Sequence, residues 1–106
     1  MLNINDLRNL CKNDMHIAIT KHARARLSER GITFEDLKNA IITGEIIEQY
    51  EEDKPFPSCL LIGITEQNKH IHVVASSNDE WLYIITAYHP NEKGWEADLK
   101  TRKGRS

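Results

Sequence analysis

Residues 59–64 read Cys-Leu-Leu-Ile-Gly-Ile, an apolar run with no charged side chain in it. Such a run predicts a strand covered on both faces, because a strand with one wet face would alternate apolar and polar residues. The preceding loop, residues 53–58, contains Pro55 and Pro57, and neither proline can join the hydrogen-bond ladder of a central strand. The sequence therefore predicts a buried strand that begins at Cys59.

Three further stretches have strand-like composition. They are residues 45–51 before the apolar run and residues 70–76 and 81–89 after it. The turns at residues 66–69 and 77–80 are far shorter than the roughly dozen residues that a crossover between parallel strands requires. We therefore expect four antiparallel strands.

Helical periodicity precedes these strands. Apolar residues recur at helical spacing in residues 4–13, and Thr20 and Thr33 suit the N-caps of two further helices. Gly31 suits the left-handed position that ends the second helix. Residues 15–19 are either a short strand or an extended connector. Two to three N-terminal helices before an antiparallel sheet predict an α+β fold, with the helices packed on one face of the sheet.

Length and composition fit a single domain. The chain has 106 residues, of which 40% are hydrophobic and 28% charged, enough for one core with an ordinary surface. We expect residues 1–14 to hold the N-terminal helix and residues 100–106 to form a disordered basic tail. No apolar run approaches the roughly 20 residues that span a bilayer, no signal-peptide pattern is visible, and two cysteines do not indicate a secreted scaffold. These features predict a cytoplasmic protein without a membrane partner.

The row formed by His22, Arg26 and Arg30 is the first candidate for a functional surface. Residues four apart lie on one face of a helix, one turn from each other. Imidazole transfers protons near neutral pH, and guanidinium holds a phosphate through two donors. Metal-free cleavage of a phosphodiester needs both capacities. The alternative is that His22 and Arg24 or Arg26 only make surface contacts with the acidic, glutamate-rich strand near residues 45–53.

The strands add further candidates. His70 and His72 alternate on one strand, but a zinc site would need a third ligand at a suitable spacing, so we expect no metal and no cofactor. Tyr88 either holds a substrate or carries a proton, or it is a packing residue with a wet hydroxyl. Trp95 is expected to cover the core. Glycine-rich phosphate loops and nucleophile elbows are missing from the sequence.

Several stretches together resemble the bacterial family catalogued as domain of unknown function 4258. The resemblance covers residues 19–102 and rests on motifs in a fixed order: His22-Ala-Arg-Ala-Arg26-Leu with Arg30-Gly-Ile, Gly44-Glu-Ile-Ile-Glu-Gln-Tyr50, Pro57-Ser-Cys-Leu-Leu61, His72-Val-Val, and Ile84-Ile-Thr-Ala-Tyr88 followed by Pro90 and Trp95. It implies a RelE-like fold and the toxin half of a toxin–antitoxin pair. On this resemblance the catalytic residues would be His22, Arg26, His72 and Tyr88.

Two main hypotheses follow from these patterns. The first is a metal-independent endoribonuclease that acts on RNA, with Arg30 and Arg102 binding its backbone and a cognate antitoxin-like protein as partner. The second is a non-catalytic module that binds a partner chain along the sheet edge or through the acidic strand. A small-ligand or metal-binding domain built on the histidines ranks third.

Overall fold

Three helices form the first half of the chain in the computed structural model, which describes residues 1–104. They are α1 (Ile4–Cys11), α2 (Lys21–Glu29) and α3 (Phe34–Thr43), with a 3₁₀ turn at Asp14–His16 after α1. Thr20 caps α2, accepting the backbone N–H of Ala23 at 3.0 Å. Thr33 and Asp36 form the predicted capping box of α3, with both hydrogen bonds at 3.0 Å. The prediction of helices from these caps is confirmed.

Five strands make one sheet. They are β1 (Ile17–Ile19), β2 (Glu45–Tyr50), β3 (Ser58–Ile64), β4 (His70–Ser77) and β5 (Leu82–Tyr88), in the spatial order β1-β5-β4-β3-β2. β1 runs parallel to β5 and the other pairs are antiparallel. The α+β class is confirmed, but the expectation of four antiparallel strands is corrected. A three-residue strand whose partner lies more than sixty residues away carries little local signal, and it is held by pairing with β5 and by packing of Ile17 and Ile19 against the core.

The core lies between the helices and one face of the sheet. Leu61 on β3, Val73 on β4 and Ala87 on β5 stand side by side in register and contribute to it. β3 and α3 approach so closely that a Cβ at Gly63 would lie 2.1 Å from the carbonyl oxygen of Ala40. A glycine inside the apolar run is therefore required by packing. We call this side of the sheet the helix face and the other side the open face.

Two β-bulges exchange the faces along their strands. In β5, Ile84 pairs with Ala75 and Thr86 with Val74, so Ile85 is the extra residue. In β2, Ile46 pairs with Leu61 and Glu48 with Leu60, so the residue between them is extra. Because side chains alternate along a strand, each bulge moves the residues after it to the opposite face. Tyr88 and Glu48 consequently lie on the open face, whereas strict alternation would turn them toward the helices.

Residues 90–104 cross the open face without regular secondary structure. They are tied together by an isolated antiparallel bridge between Trp95 and Arg102. Residues 100–104 of the predicted disordered tail are described, and Arg102 contacts β2. Residues 105 and 106 lie outside the described part of the chain.

Candidate functional site

His72 is the centre of the candidate site. It lies on β4 between Ile62 and Tyr88 in register, and its side chain is 0% exposed. Its Nε2 is 2.7 Å from the carbonyl oxygen of Leu99, and its Nδ1 is 3.2 Å from the hydroxyl of Tyr88. Because a carbonyl only accepts hydrogen bonds, Nε2 carries the proton and Nδ1 accepts from Tyr88. Both ring nitrogens are thus occupied.

Burial determines the charge state of His72. Burial lowers the pKa of the imidazole, and the hydrogen bond to Leu99 and the carboxylate of Glu48 only partly oppose this effect. The ring is therefore neutral at physiological pH and retains an acceptor nitrogen. This is the state in which an imidazole can receive a proton.

Tyr88 connects His72 to solvent. The side chain is half-buried, and its ring meets the imidazole edge-on at a centroid distance of 5.2 Å. Burial raises the pKa of the phenol, which the charge of Arg102 partly opposes. The hydroxyl proton is directed at His72, so the remaining lone pairs of the oxygen can accept a hydrogen bond from an outside group.

Trp95 covers the other side of His72. Its ring is buried and stands nearly perpendicular to the imidazole, with the ring centroids 4.6 Å apart. The guanidinium of Arg102 lies 4.7 Å from the indole centroid, in the position of a cation–π contact. Trp95 therefore has a covering role as expected, and the residue that it covers is His72 on the open face.

Arg102 is held by an acidic strand. Its Nε and one terminal nitrogen donate to the two carboxylate oxygens of Glu48 at 2.8 and 3.0 Å. The Tyr50 hydroxyl also donates to Glu48, and burial followed by this hydrogen bond raises the pKa of Tyr50 to about 12. The hydrogen bond to Glu48 raises the pKa of the guanidinium of Arg102. Because its charge is already neutralised, Arg102 has a weakened capacity to bind a phosphate.

Arg30 links α2 to the sheet. It follows the last residue of α2, and its guanidinium donates to the Ala87 carbonyl at 2.8 Å and to the Thr86 hydroxyl at 3.2 Å. β1 pairs only with residues 82–84, so the outer edge of the second half of β5 is open to this contact. The contact fixes a cation beside the residue that precedes Tyr88.

His22 and Arg26 lie on the exposed side of α2. Arg26 makes an ion pair with Glu29 at 3.4 Å, with 48% and 63% of the two side chains exposed. Within residues 1–104, the His22 side chain makes no hydrogen bond or ion pair. The structure thus joins His72 and Tyr88 directly and places Arg30 next to them, but no hydrogen bond connects this group to His22 or Arg26.

The sequence patterns missed the contributions of Glu48, Tyr50 and Leu99. Glu48 and Tyr50 stand two apart on one strand, a spacing that does indicate a shared face. The Leu99 carbonyl is a backbone group, and no residue pattern marks it.

The described part of the chain has neither a metal-binding cluster nor a membrane-spanning helix. Residues 1–104 contain no cluster of three or more His, Cys, Asp or Glu side chains able to hold a metal ion. In the same range, no helix has the length and apolar character needed to cross a bilayer.

A known protein family matches most of the chain. No curated protein matches the chain. The sequence profile of the family described as Domain of unknown function (DUF4258) matches residues 19–89, which is most of the chain and includes α2, α3 and all of β2–β5. The chain belongs to the DUF4258 family.

Proposed function

We propose that the protein is an endoribonuclease that needs no metal ion and acts as the toxin of a toxin–antitoxin pair. One observation carries the proposal: the Tyr88 hydroxyl is aligned by a buried neutral histidine, and the guanidinium of Arg30 is fixed on the backbone carbonyl of the preceding residue, Ala87. A hydroxyl oxygen that can accept a proton, next to a cation that can hold a phosphate, suits attack within an RNA backbone. The RelE-like resemblance of the sequence motifs agrees with this reaction.

In the proposed reaction the nucleophile belongs to the RNA. The 2′-oxygen attacks the adjacent phosphorus while the bond from phosphorus to the 5′-oxygen breaks, which leaves a 2′,3′-cyclic phosphate and a 5′-hydroxyl. The 2′-proton passes to the Tyr88 oxygen as the Tyr88 proton passes to Nδ1 of His72. The neutral state of His72 makes this acceptor available before the reaction. His72 afterwards returns the proton to water through Tyr88.

The leaving 5′-oxygen needs a second proton carrier, and we assign this role to His22. Arg26 and Arg30 would bind the phosphate and the charge that develops in the transition state. His72 acts as a proton relay behind Tyr88, since its side chain is 0% exposed.

Cleavage of a single-stranded RNA in the presence of a chelator tests the proposal. Tyr88→Phe should lower the rate constant by about a hundredfold or more, because the phenol oxygen is the first proton acceptor. His22→Ala and Arg26→Ala should each lower it as well. Glu29→Gln is the matched control, since Glu29 contacts Arg26 and has no role in the reaction.

The products provide an independent readout. The wild type should leave 2′,3′-cyclic phosphate ends, and a 2′-deoxy nucleotide at the cleaved position should block the reaction. Expression in a bacterial host should slow growth. RNA that stays intact with the wild-type protein, or a Tyr88→Phe variant as fast as wild type, would contradict the assignment.

A second candidate function is binding of an antitoxin-like chain without catalysis. The position of β2 favours it, since β2 is the last strand in the sheet order and has one neighbouring strand within residues 1–104. A groove also runs between β2 and residues 2–5. A partner strand could add to the sheet at this edge through backbone hydrogen bonds. Co-expression with a candidate partner should then slow amide exchange in residues 45–50, and unchanged exchange would count against this edge.

A further inference from the structure

We propose that residues 94–102, which we call the clamp, set the direction of the Tyr88 hydroxyl, and that Arg102 is a positioning residue for the reaction. The clamp lies beyond residues 19–89, the part of the chain that matches the family. Its link to catalysis rests on the proposed function, whereas its effect on His72 does not. The clamp thus gives Arg102 a role different from RNA binding.

The first step is the proton on His72. The only clamp atom that bonds the imidazole within the described residues is the Leu99 carbonyl oxygen, at 2.7 Å from Nε2. This contact selects the tautomer with the proton on Nε2. In the other tautomer Nδ1 would carry a proton and donate to Tyr88, so the hydroxyl would turn its proton outward. The direction of the Tyr88 hydroxyl therefore depends on one backbone carbonyl.

The second step is how that carbonyl is held. Leu99 has φ +60°, a left-handed conformation that a bulky residue adopts only where its surroundings impose it. Two backbone hydrogen bonds impose it, from Leu99 N–H to the Glu96 carbonyl at 2.8 Å and from Glu96 N–H to the Thr101 carbonyl at 2.7 Å. The Asp98 carboxylate also accepts the backbone N–H groups of residues 100 and 101. The turn thus presents its carbonyl to His72 in one orientation.

The third step is what holds the turn on the sheet. Trp95 lies between His72 and the Arg102 guanidinium, at centroid distances of 4.6 and 4.7 Å. Arg102 is fixed in turn by its two hydrogen bonds to Glu48 on β2. A continuous set of contacts therefore runs from Glu48 through Arg102 and Trp95 to His72 and Tyr88. Removing the guanidinium releases the outer end of this set.

Nitrogen-15 NMR of the histidine side chains in the full-length protein tests the clamp without RNA. In the wild type we expect His72 to be protonated on Nε2, with slow exchange of that proton with water. In Arg102→Met the exchange rate should rise by about tenfold or more, and the Nδ1-protonated tautomer should become detectable. Arg102→Lys, which keeps the charge but loses the two-pronged contact, should be intermediate.

Lys100→Met is the matched control. The Lys100 side chain makes a neighbouring ion pair from the same segment, to Glu45, and takes no part in the Trp95 ring contacts given above. Its His72 spectrum should equal that of the wild type. If Arg102→Met does not fold, Trp95→Phe provides the same test, because it shrinks the ring between Arg102 and His72. An Nδ1-protonated His72 in the wild type, or identical His72 signals in the folded Arg102 or Trp95 variant and the wild type, would overturn the clamp.

Cleavage kinetics then connect the clamp to the reaction. Arg102→Met should lower kcat by about tenfold or more while KM changes little, since binding is assigned to the α2 row. A rise in KM with an unchanged kcat would overturn the positioning role. If the wild-type protein cleaves no RNA, the proposed nuclease fails, and the NMR result still decides whether the clamp controls His72.

Discussion

Two histidine-containing regions of this protein are built in opposite ways. On α2, His22 and Arg26 are exposed, and Arg26 makes an ion pair with a neighbouring glutamate on the same helix. On the open face of the sheet, His72 is fully buried and bonded through both nitrogens, and Tyr88 is held against it. The first region offers charge that solvent can reach. The second offers fixed geometry with little charge.

The difference assigns separate tasks to the two regions. Exposed cations on a helix contribute long-range attraction to an anionic ligand and lose it in salt. A buried pair contributes alignment, since its hydrogen bonds need no reorganisation when a reacting group arrives. A site that combines the two would bind through α2 and react at β5. Arg30 joins them, because it directly follows α2 and bonds to the backbone of β5.

The largest difference between the two regions is expected when His72 or His22 is replaced by alanine and the free energy of unfolding is measured. His72→Ala deletes a buried ring and leaves the Leu99 carbonyl and the Tyr88 hydroxyl without their partner, so we expect a loss of about 3 kcal/mol in the free energy of unfolding. His22→Ala removes an exposed side chain and should change it by less than about 0.5 kcal/mol. Urea denaturation measures both. Equal losses in the two variants would mean that the burial of His72 contributes nothing.

The next largest difference between the two regions is expected in the pH dependence of the unfolding free energy. The pKa of His72 is lowered in the folded protein, so between its unfolded value near 6.5 and its folded value the unfolded chain binds more protons. Stability from this group is complete above that window and falls as the pH drops through it. The unfolding free energy of the wild type should therefore decrease from pH 7 toward pH 5. His72→Gln, which can keep both hydrogen bonds, should flatten this slope.

Two carboxyl groups with lowered pKa values, Asp36 and Asp98, affect stability only at a lower pH than His72 does. Burial raises the pKa of Asp36, but backbone hydrogen bonds from Thr33 and Glu66 lower this pKa by more. The pKa of Asp36 is therefore lowered overall. Hydrogen bonds from the backbone of residues 100 and 101 lower the pKa of Asp98. Their stabilising effect is lost only below about pH 4, where unfolded carboxyl groups bind protons. If the unfolding free energy of His72→Gln still fell steeply from pH 7 to pH 5, the pH dependence would come from groups other than His72.

Salt should produce the smallest effect, and only in the exposed region. If Arg26 binds one phosphate, Arg26→Ala should reduce the slope of log affinity against log salt by about 0.7 for a single-stranded RNA. Titrations at several salt concentrations with the uncleavable 2′-deoxy substrate measure this slope. Arg102→Met should leave it unchanged, because Glu48 already neutralises that charge. A reduced slope in Arg102→Met would restore the predicted RNA-binding role of Arg102.

The fold followed from local signals wherever the chain supplied them. Thr20, Thr33 and Asp36 marked helix starts because their side chains bond the backbone N–H groups of the first turn. Gly31 has φ +67°, as predicted for the residue that ends α2. The sequence did not decide whether β1 is a strand or an extended connector. Its three residues pair with residues 82–84, and this contact is distant in sequence.

The candidate site was less accessible to sequence reasoning. Spacing alone placed His22 and Arg26 on one helix face, and the family motifs selected His72 and Tyr88. The partners of His72 come from a neighbouring strand and from a backbone carbonyl twenty-seven residues later, and neither follows a period. Arg102 was interpreted from its charge alone, because its ion pair with Glu48 spans 54 residues.

The bulges at Ile47 and Ile85 each place one residue outside the pairing register of the sheet. Without Ile85, Ile84 would still face Ala75 and Thr86 would still face Val74, so Tyr88 would stay opposite His72 on the open face. Without the residue between Ile46 and Glu48, Glu48 would likewise stay opposite Leu60. Among related sequences, a one-residue gap at either bulge is therefore compatible with the site, because the pairs on both sides of it keep their register.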